Sequence, residues 1–91
     1  MPDMPLQKEW EKDSQEKFNA MIGRMPLFHR DIARQVVKKK AEENAQARRC
    51  DRVEEEDIVR AFFSEVPKAF YSLMIRLLDE VGFNYRQYES K

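Results

Sequence analysis

The chain has 91 residues, of which 42% are hydrophobic and 37% are charged, and its formal net charge is zero. A chain of this length forms one small domain, so we expect a single helical domain over residues 1–91. No apolar run exceeds four residues, whereas a membrane-spanning helix needs about 20. Residues 1–10 contain no apolar signal-peptide region. These features exclude membrane insertion and favour a cytoplasmic protein.

Catalytic and cofactor signals are absent from the sequence. A single cysteine, Cys50, and two glycines rule out an internal disulfide and glycine-rich phosphate loops. No group of Cys and His has metal-ligand spacing. The one histidine, His29, has no second group that we can name as its partner in acid–base catalysis. We therefore predict a protein that is not an enzyme and has no cofactor, and we interpret Cys50 as a loop residue without a role.

The first predicted helix lies within residues 6–24. Trp10, Phe18 and Ile22 recur at helical spacing along it. Asp13 and Glu16 form a loose capping pair, so the firm part of the helix can begin there. The glycine and proline that follow end the helix.

A long second helix is predicted from about Pro26 to Arg48. Proline suits the first turn of a helix, where its missing N–H is not needed. The apolar residues from Phe28 to Ala41 cover an arc of about 220° on a helical wheel. This arc is wider than a surface helix needs, so we expect a central helix with neighbours on more than one side. His29 falls inside the arc.

Two shorter helices complete the predicted fold. The segment "EEEDIVRAFF" (residues 54–63) indicates a third helix after a brief extended residue at Val53. A fourth amphipathic helix begins at Pro67 and ends at Gly82. The sequence thus predicts an all-α fold of about four helices with a long central helix, resembling half of a histone fold plus a C-terminal helix. Residues 1–8 and 84–91 are expected to be tails, either flexible or docked on a partner.

Charge is unevenly distributed along the chain. Residues 24–52 contain nine Lys or Arg against four Asp or Glu, and the flanking segments are acidic. Clustered basic residues can bind phosphates, although a pI near 6.6 argues against a dedicated nucleic-acid binder. The candidate face for an anionic partner comprises Arg30, Arg34, Lys38, Arg48 and Arg49.

The segments "MPLFHRDIARQVVKKKAEENA" and "RVEEEDIVRAF" resemble a known family of small helical domains. It is the domain found at the C-terminus of the B subunit of light-independent protochlorophyllide reductase, and also as short separate proteins. The resemblance spans roughly residues 14–62. It rests on the pattern Pro-x-Phe-x-Arg-x-x-Ala-Arg and on matches further along the chain. The matching residues are Pro26, Phe28, Arg30, Ala33, Arg34, Ala41, Val53, Asp57, Ile58 and Ala61.

This resemblance implies a helical accessory module linked to nitrogenase-like reductases, whose iron–sulfur chemistry belongs to other domains. One cysteine cannot hold a cluster, so we transfer no catalytic role. The segment "RVEEEDIVRAF" is also similar to the loop and last helix of histones. The alternative is therefore a histone-like dimer that binds DNA through the basic face.

The favoured hypothesis is a non-catalytic interaction module that serves as a small subunit or assembly factor of a larger reductase complex. Its partner would be a protein, and a homodimer is left open. Aromatic residues are frequent interface anchors, and the fourth helix and tail offer more apolar surface than a short chain easily buries. We expect Leu73 and Val81 to belong to the core, as well as Leu77, for which an interface role stays open. The predicted docking surface comprises Phe70, Met74, Leu77, Phe83, Tyr85 and Tyr88.

Overall fold

The computed structural model describes residues 9–88 and has an all-α fold with a long central helix, as the sequence predicts. The helices of this part of the chain surround one shared hydrophobic core. Residues 1–8 and 89–91, which include most of the predicted tails, lie outside the described residues. The elements in chain order are β1 (Glu9–Trp10), α1 (Lys12–Gly23), α2 (Leu27–Ala47), β2 (Arg52–Val53), α3 (Glu55–Glu65), a 3₁₀ turn (Lys68–Phe70), α4 (Tyr71–Val81) and a second 3₁₀ turn (Tyr85–Tyr88).

Helix α1 begins at Lys12, close to the predicted start of its firm part, because Glu11 caps it. The backbone N–H and the hydroxyl of Ser14 both donate hydrogen bonds to Glu11 Oε1, at 3.0 and 2.6 Å. Our placement of Trp10 on this helix is wrong, since Trp10 lies in β1 and pairs in parallel with Val53 of β2. Its ring still packs on Phe18, with 5.1 Å between the ring centroids. That contact explains why Trp10 follows the helical spacing without being helical.

A buried polar contact holds β1 against the second half of α2. The indole Nε1–H of Trp10 donates a hydrogen bond to Glu42 Oε2 at 3.0 Å. The Glu42 side chain is buried, and a buried carboxylate is costly unless a donor satisfies it. The Glu11 N–H extends the strand pairing by donating to the Val53 carbonyl at 2.8 Å.

The end of α2 and the start of α3 are joined by an ion pair. Asp57 is completely buried, and Arg48 Nε and Nη2 donate to its two carboxylate oxygens at 2.9 and 2.8 Å. These hydrogen bonds raise the pKa of Arg48 above its already high ordinary value. The Glu54 N–H donates to Asp57 Oδ2, so the same carboxylate also caps α3. From this point α3 packs against α2, which is the most extensive helix pairing among the described residues.

The chain after α3 turns at Pro67 and returns to the core through α4. The hydroxyl of Tyr71 donates a hydrogen bond to the Phe63 carbonyl, which ties the start of α4 to α3. Gly82 ends α4 with a φ of 96°, in the left-handed region that glycine tolerates. The residues that follow pack on the chain's own core, where Tyr85 is buried. Residues 85–88 are therefore not a free or partner-docked tail, which corrects this part of the prediction.

We expect the substitution Arg48→Met to lower the free energy of unfolding by about 3–5 kcal/mol, because it leaves the buried Asp57 carboxylate without its counter-charge. Urea unfolding followed by circular dichroism measures this loss. The matched control is Arg60→Met, which removes an exposed arginine 3.1 Å from Glu56 on the surface of α3. Surface pairs of this kind contribute about 1 kcal/mol or less. Equal losses in the two variants would contradict the role of the buried pair.

Because the ionised Glu11 carboxylate caps α1, the fold loses part of its stability at acid pH. Hydrogen bonds from Ser14 lower the pKa of Glu11 below its usual 4.5. The folded state therefore binds this proton less tightly than the unfolded state does. The stabilisation is present above the ordinary pKa and is lost as the pH falls through the lowered one.

We expect Glu11→Gln to lower the urea midpoint at about pH 7, and the difference from the unsubstituted protein to narrow towards about pH 2, where both side chains are neutral. Urea titrations of both proteins across this range measure the difference. A gap that stays constant with pH would show that the ionised carboxylate contributes nothing to the cap.

Candidate interaction surface

The first half of α2 is not covered by the rest of the described chain. All four buried residues of this helix lie at position 37 or beyond. Phe28 is 79% exposed and Ile32 is 67% exposed. The broad apolar arc predicted for α2 is thus present, but its first half lacks the second neighbour that we expected.

These exposed side chains form one wall of an apolar groove of about 560 Å³. The opposite wall comes from residues 65–73, which include the turn after α3 and the start of α4. Phe70, which is 50% exposed, lies on that wall. The floor consists of buried side chains that belong equally to the core. The groove is defined by Phe28, Ile32 and Val36 on the α2 wall, Phe70 and Leu73 on the opposite wall, and Val37, Met74 and Leu77 on the floor.

His29 and Glu65 are the polar side chains that line this apolar groove. The His29 ring lies near two aromatic rings, with centroid distances of 4.2 Å to Phe28 and 6.2 Å to Phe70. Its ring makes no hydrogen bond to another residue in the described range. A small-molecule or catalytic site normally adds several convergent polar groups to an apolar wall. The groove lacks them and has the character of a surface for packing against apolar side chains.

The predicted docking residues fall on two sides of the molecule. Phe70, Met74 and Leu77 line the apolar groove. Phe83 and Tyr85 are buried in the core near α3, so neither ring is available to a partner. This corrects their assignment to a docking surface. The chain turns inward after Gly82, whereas the amino-acid composition of this segment indicated a polar tail.

Tyr88 packs at the edge of the core and stays half-buried. Burial and the neighbouring carboxylates of Glu55, Glu56 and Glu54 raise the pKa of its hydroxyl. Leu73, which we assigned to the core, is exposed on the wall of the apolar groove. Of the predicted docking residues on the groove, Phe70 is exposed, whereas Met74 and Leu77 are buried in its floor. The docking surface itself stays a prediction.

Intramolecular hydrogen bonds occupy two residues of the candidate basic face. Arg30 donates to the backbone carbonyls of Gly23 and Met25, at 2.6 and 3.1 Å, and so holds the turn before α2. Arg48 is occupied by Asp57. The remaining members, Arg34, Lys38 and Arg49, are exposed. The structure therefore gives two of the five residues a structural role.

Residues 9–88 lack two other kinds of feature. No group of three or more His, Cys, Asp or Glu side chains in this range is placed to hold a metal ion. None of the helices in the same range is long and apolar enough to cross a membrane. Cys50 is half-buried in the turn after α2 and forms no disulfide.

Comparison with known proteins identifies the family. Residues 5–91 match the family DUF2621, which is described as a protein of unknown function. Because the match covers nearly the whole chain, the protein belongs to this family. No curated protein and no solved structure matches the chain.

We expect Phe83→Ala to lower the free energy of unfolding by about 3–5 kcal/mol, because it removes a ring from the core. The loss should be the same at every protein concentration, since the contacts of Phe83 lie within one chain. Phe70→Ala is the control with the same chemical change on the half-exposed wall of the apolar groove, and we expect a clearly smaller loss from it. Urea unfolding at several concentrations measures both. A small loss of unfolding free energy for Phe83→Ala would contradict the burial of its ring in the core.

Proposed function

We propose that this protein is a non-catalytic, cytoplasmic interaction module that serves as a small subunit or assembly factor of a larger complex. The apolar groove is its docking surface. The observation that supports this most directly is the exposure of Phe28 and Ile32 on a helix whose other half is buried. Soluble monomers rarely leave contiguous apolar patches of this kind in water.

The size of the exposed surface supports a protein partner. An aromatic side chain buries about 150–250 Å², so Phe28 and Phe70 together leave on the order of 250 Å² of ring surface in contact with water. The aliphatic side chains beside them enlarge the patch to about 300–600 Å², the size of the largest apolar patch on a typical monomer, which is often functional. A partner that covers the patch removes this surface from water.

The shape of the apolar groove fits a helical partner. It runs between α2 and the start of α4, and its walls carry apolar side chains at helical spacing. Grooves of this type bind the apolar face of an amphipathic helix, whose anchors recur every three or four residues. The near absence of polar groups inside the groove means that specificity would come from shape and from aromatic anchors.

The assembly that we propose is a reductase complex. This part of the proposal is supported by the Pro-x-Phe-x-Arg pattern at Pro26, Phe28 and Arg30 and by the family that it resembles. Two residues of this pattern have a local structural role, because Arg30 holds by hydrogen bonds the turn that ends at Pro26. The reductive chemistry would reside in the partner subunits.

A photo-cross-linking amino acid in place of Ile32 tests this function. With the variant expressed in its own cell, we expect irradiation to link the chain to a specific protein, and mass spectrometry to identify the linked residues. The control carries the same amino acid in place of Lys38, an exposed position on the other side of α2. We expect no such product from the control.

Each other outcome has a definite meaning. A captured reductase subunit would support the proposed complex, and a different partner would overturn that part only. Capture at Lys38 but not at Ile32 would move the docking surface to the basic face. If Lys38 captured DNA, the histone-like alternative would replace the proposed function. Absence of any product at Ile32 would overturn the docking role of the apolar groove.

A further inference from the structure

We propose that the partner at the apolar groove is an amphipathic helix of another protein that carries acidic residues at one end of its apolar face. The carboxylates at this end would pair with Lys39 and Lys40. This inference rests on the proposed function, because it specifies the chemistry of the partner at the same surface. It is supported by the charge of the segments that form the groove and by the position of these two lysines.

The two segments that form the groove are strongly basic. Residues 27–40 of α2 contain five Lys or Arg against one Asp, and residues 65–77 contain two against one Glu. These two segments therefore carry a net charge of +5, although the whole chain is neutral. A cleft surrounded by charge of one sign attracts partners of the opposite sign. The charge distribution thus favours an acidic partner at the groove.

Lys39 and Lys40 continue the groove wall along α2. The α2 side chains that line the groove end at Val37, so the two lysines come in the next turn. Measured from Phe28 at 100° per residue, the apolar wall of α2 extends to Val36, at about 80° around the helix axis. Lys39 lies at about 20° and Lys40 at about 120° on the same scale. The apolar wall therefore ends in two positive charges.

These two lysines have no ion-pair partner among residues 9–88. The acidic residues at the start of α3, residues 54–57, all form ion pairs with other cations of the chain. Glu65, the acidic residue that lines the groove, accepts a hydrogen bond from the Ser64 hydroxyl at 3.1 Å. Lys39 is exposed and Lys40 is half-exposed, so both can reach the carboxylates of a partner.

Shape and charge together distinguish between the kinds of partner. A concave apolar groove fits one face of a helix, whereas a membrane surface cannot enter it. A second copy of this chain would bring the same basic segments to the groove and place like charges together. An amphipathic helix with acidic residues beyond its last apolar anchor satisfies both requirements. Charge pairs at one end of the groove would also fix the direction in which this helix lies.

Two synthetic peptides test this proposal when their binding to the purified full-length protein is measured by fluorescence anisotropy. Both are amphipathic peptides of about 18 residues, long enough to form a helix, with leucine at every third or fourth position. One carries several glutamates at one end, and the other carries lysines at the same positions. We expect the glutamate peptide to bind roughly tenfold more tightly at about 0.01 M salt, and the difference to vanish towards about 1 M salt.

The matched protein variants locate the charges that cause this preference. Lys39→Glu combined with Lys40→Glu should weaken binding of the glutamate peptide roughly tenfold and reverse the preference between the two peptides. The control is Arg34→Glu combined with Lys38→Glu, which makes the same change of charge on the other side of α2 and should leave the preference in place. Circular dichroism verifies that both variants are folded, and the salt titration of the unsubstituted protein needs no substitution.

Three results of the peptide experiment would overturn the proposal. They are equal binding of the two peptides, equal effects of the two double variants, and absence of binding of the glutamate peptide at about 100 μM, far above a typical specific dissociation constant. Displacement of the glutamate peptide by vesicles of phosphatidylglycerol would assign the surface to a membrane and would also overturn it.

The failure of this inference can be distinguished from the failure of the proposed function. If both peptides bind equally and Ile32→Asp abolishes the binding of both, the groove is a docking surface and only its preference for acidic partners is wrong. If the photo-cross-linker at Ile32 captures a segment of another protein that has no acidic end, the same conclusion follows. If it captures a second copy or residues 1–8 of the same chain, that segment is the occupant and the acidic partner is wrong. If nothing is captured and neither peptide binds, both proposals fail.

Discussion

The Arg48–Asp57 ion pair is the contact on which the arrangement of the helices depends. Asp57 caps α3 and also binds the residue that ends α2, so one carboxylate fixes the point from which α3 returns along α2. Helix α3 has 11 residues against 21 in α2. Helix α3 is therefore long enough to cover only the second half of α2, where Val37 and Ala41 are buried. The position where α3 ends also fixes the turn at Pro67 and the start of α4.

This ion pair contributes more to the choice of one arrangement than to net stability. The cost of removing the Asp57 carboxylate from water offsets much of its attraction to Arg48, whose side chain stays one-third exposed. Any shift of α3 along α2 would separate Asp57 from Arg48 and leave a buried charge unpaired. Such a shift is what would bring α3 over Phe28 and Ile32. The pair thus keeps the apolar first half of α2 open, although closing it would remove apolar surface from water.

The sequence predicts the elements whose signals are local. Pro26 at the start of α2 and Gly82 at the end of α4 act on their own turns, so both helix bounds could be predicted. Strand β1 could not be predicted, because the partner of Trp10 lies beyond α2 in the sequence. Ile32 and Val37 belong to the same apolar arc, and periodicity cannot say which of them is covered. The answer depends on the length of α3, and the inward turn of the chain after α4 likewise depends on tertiary packing.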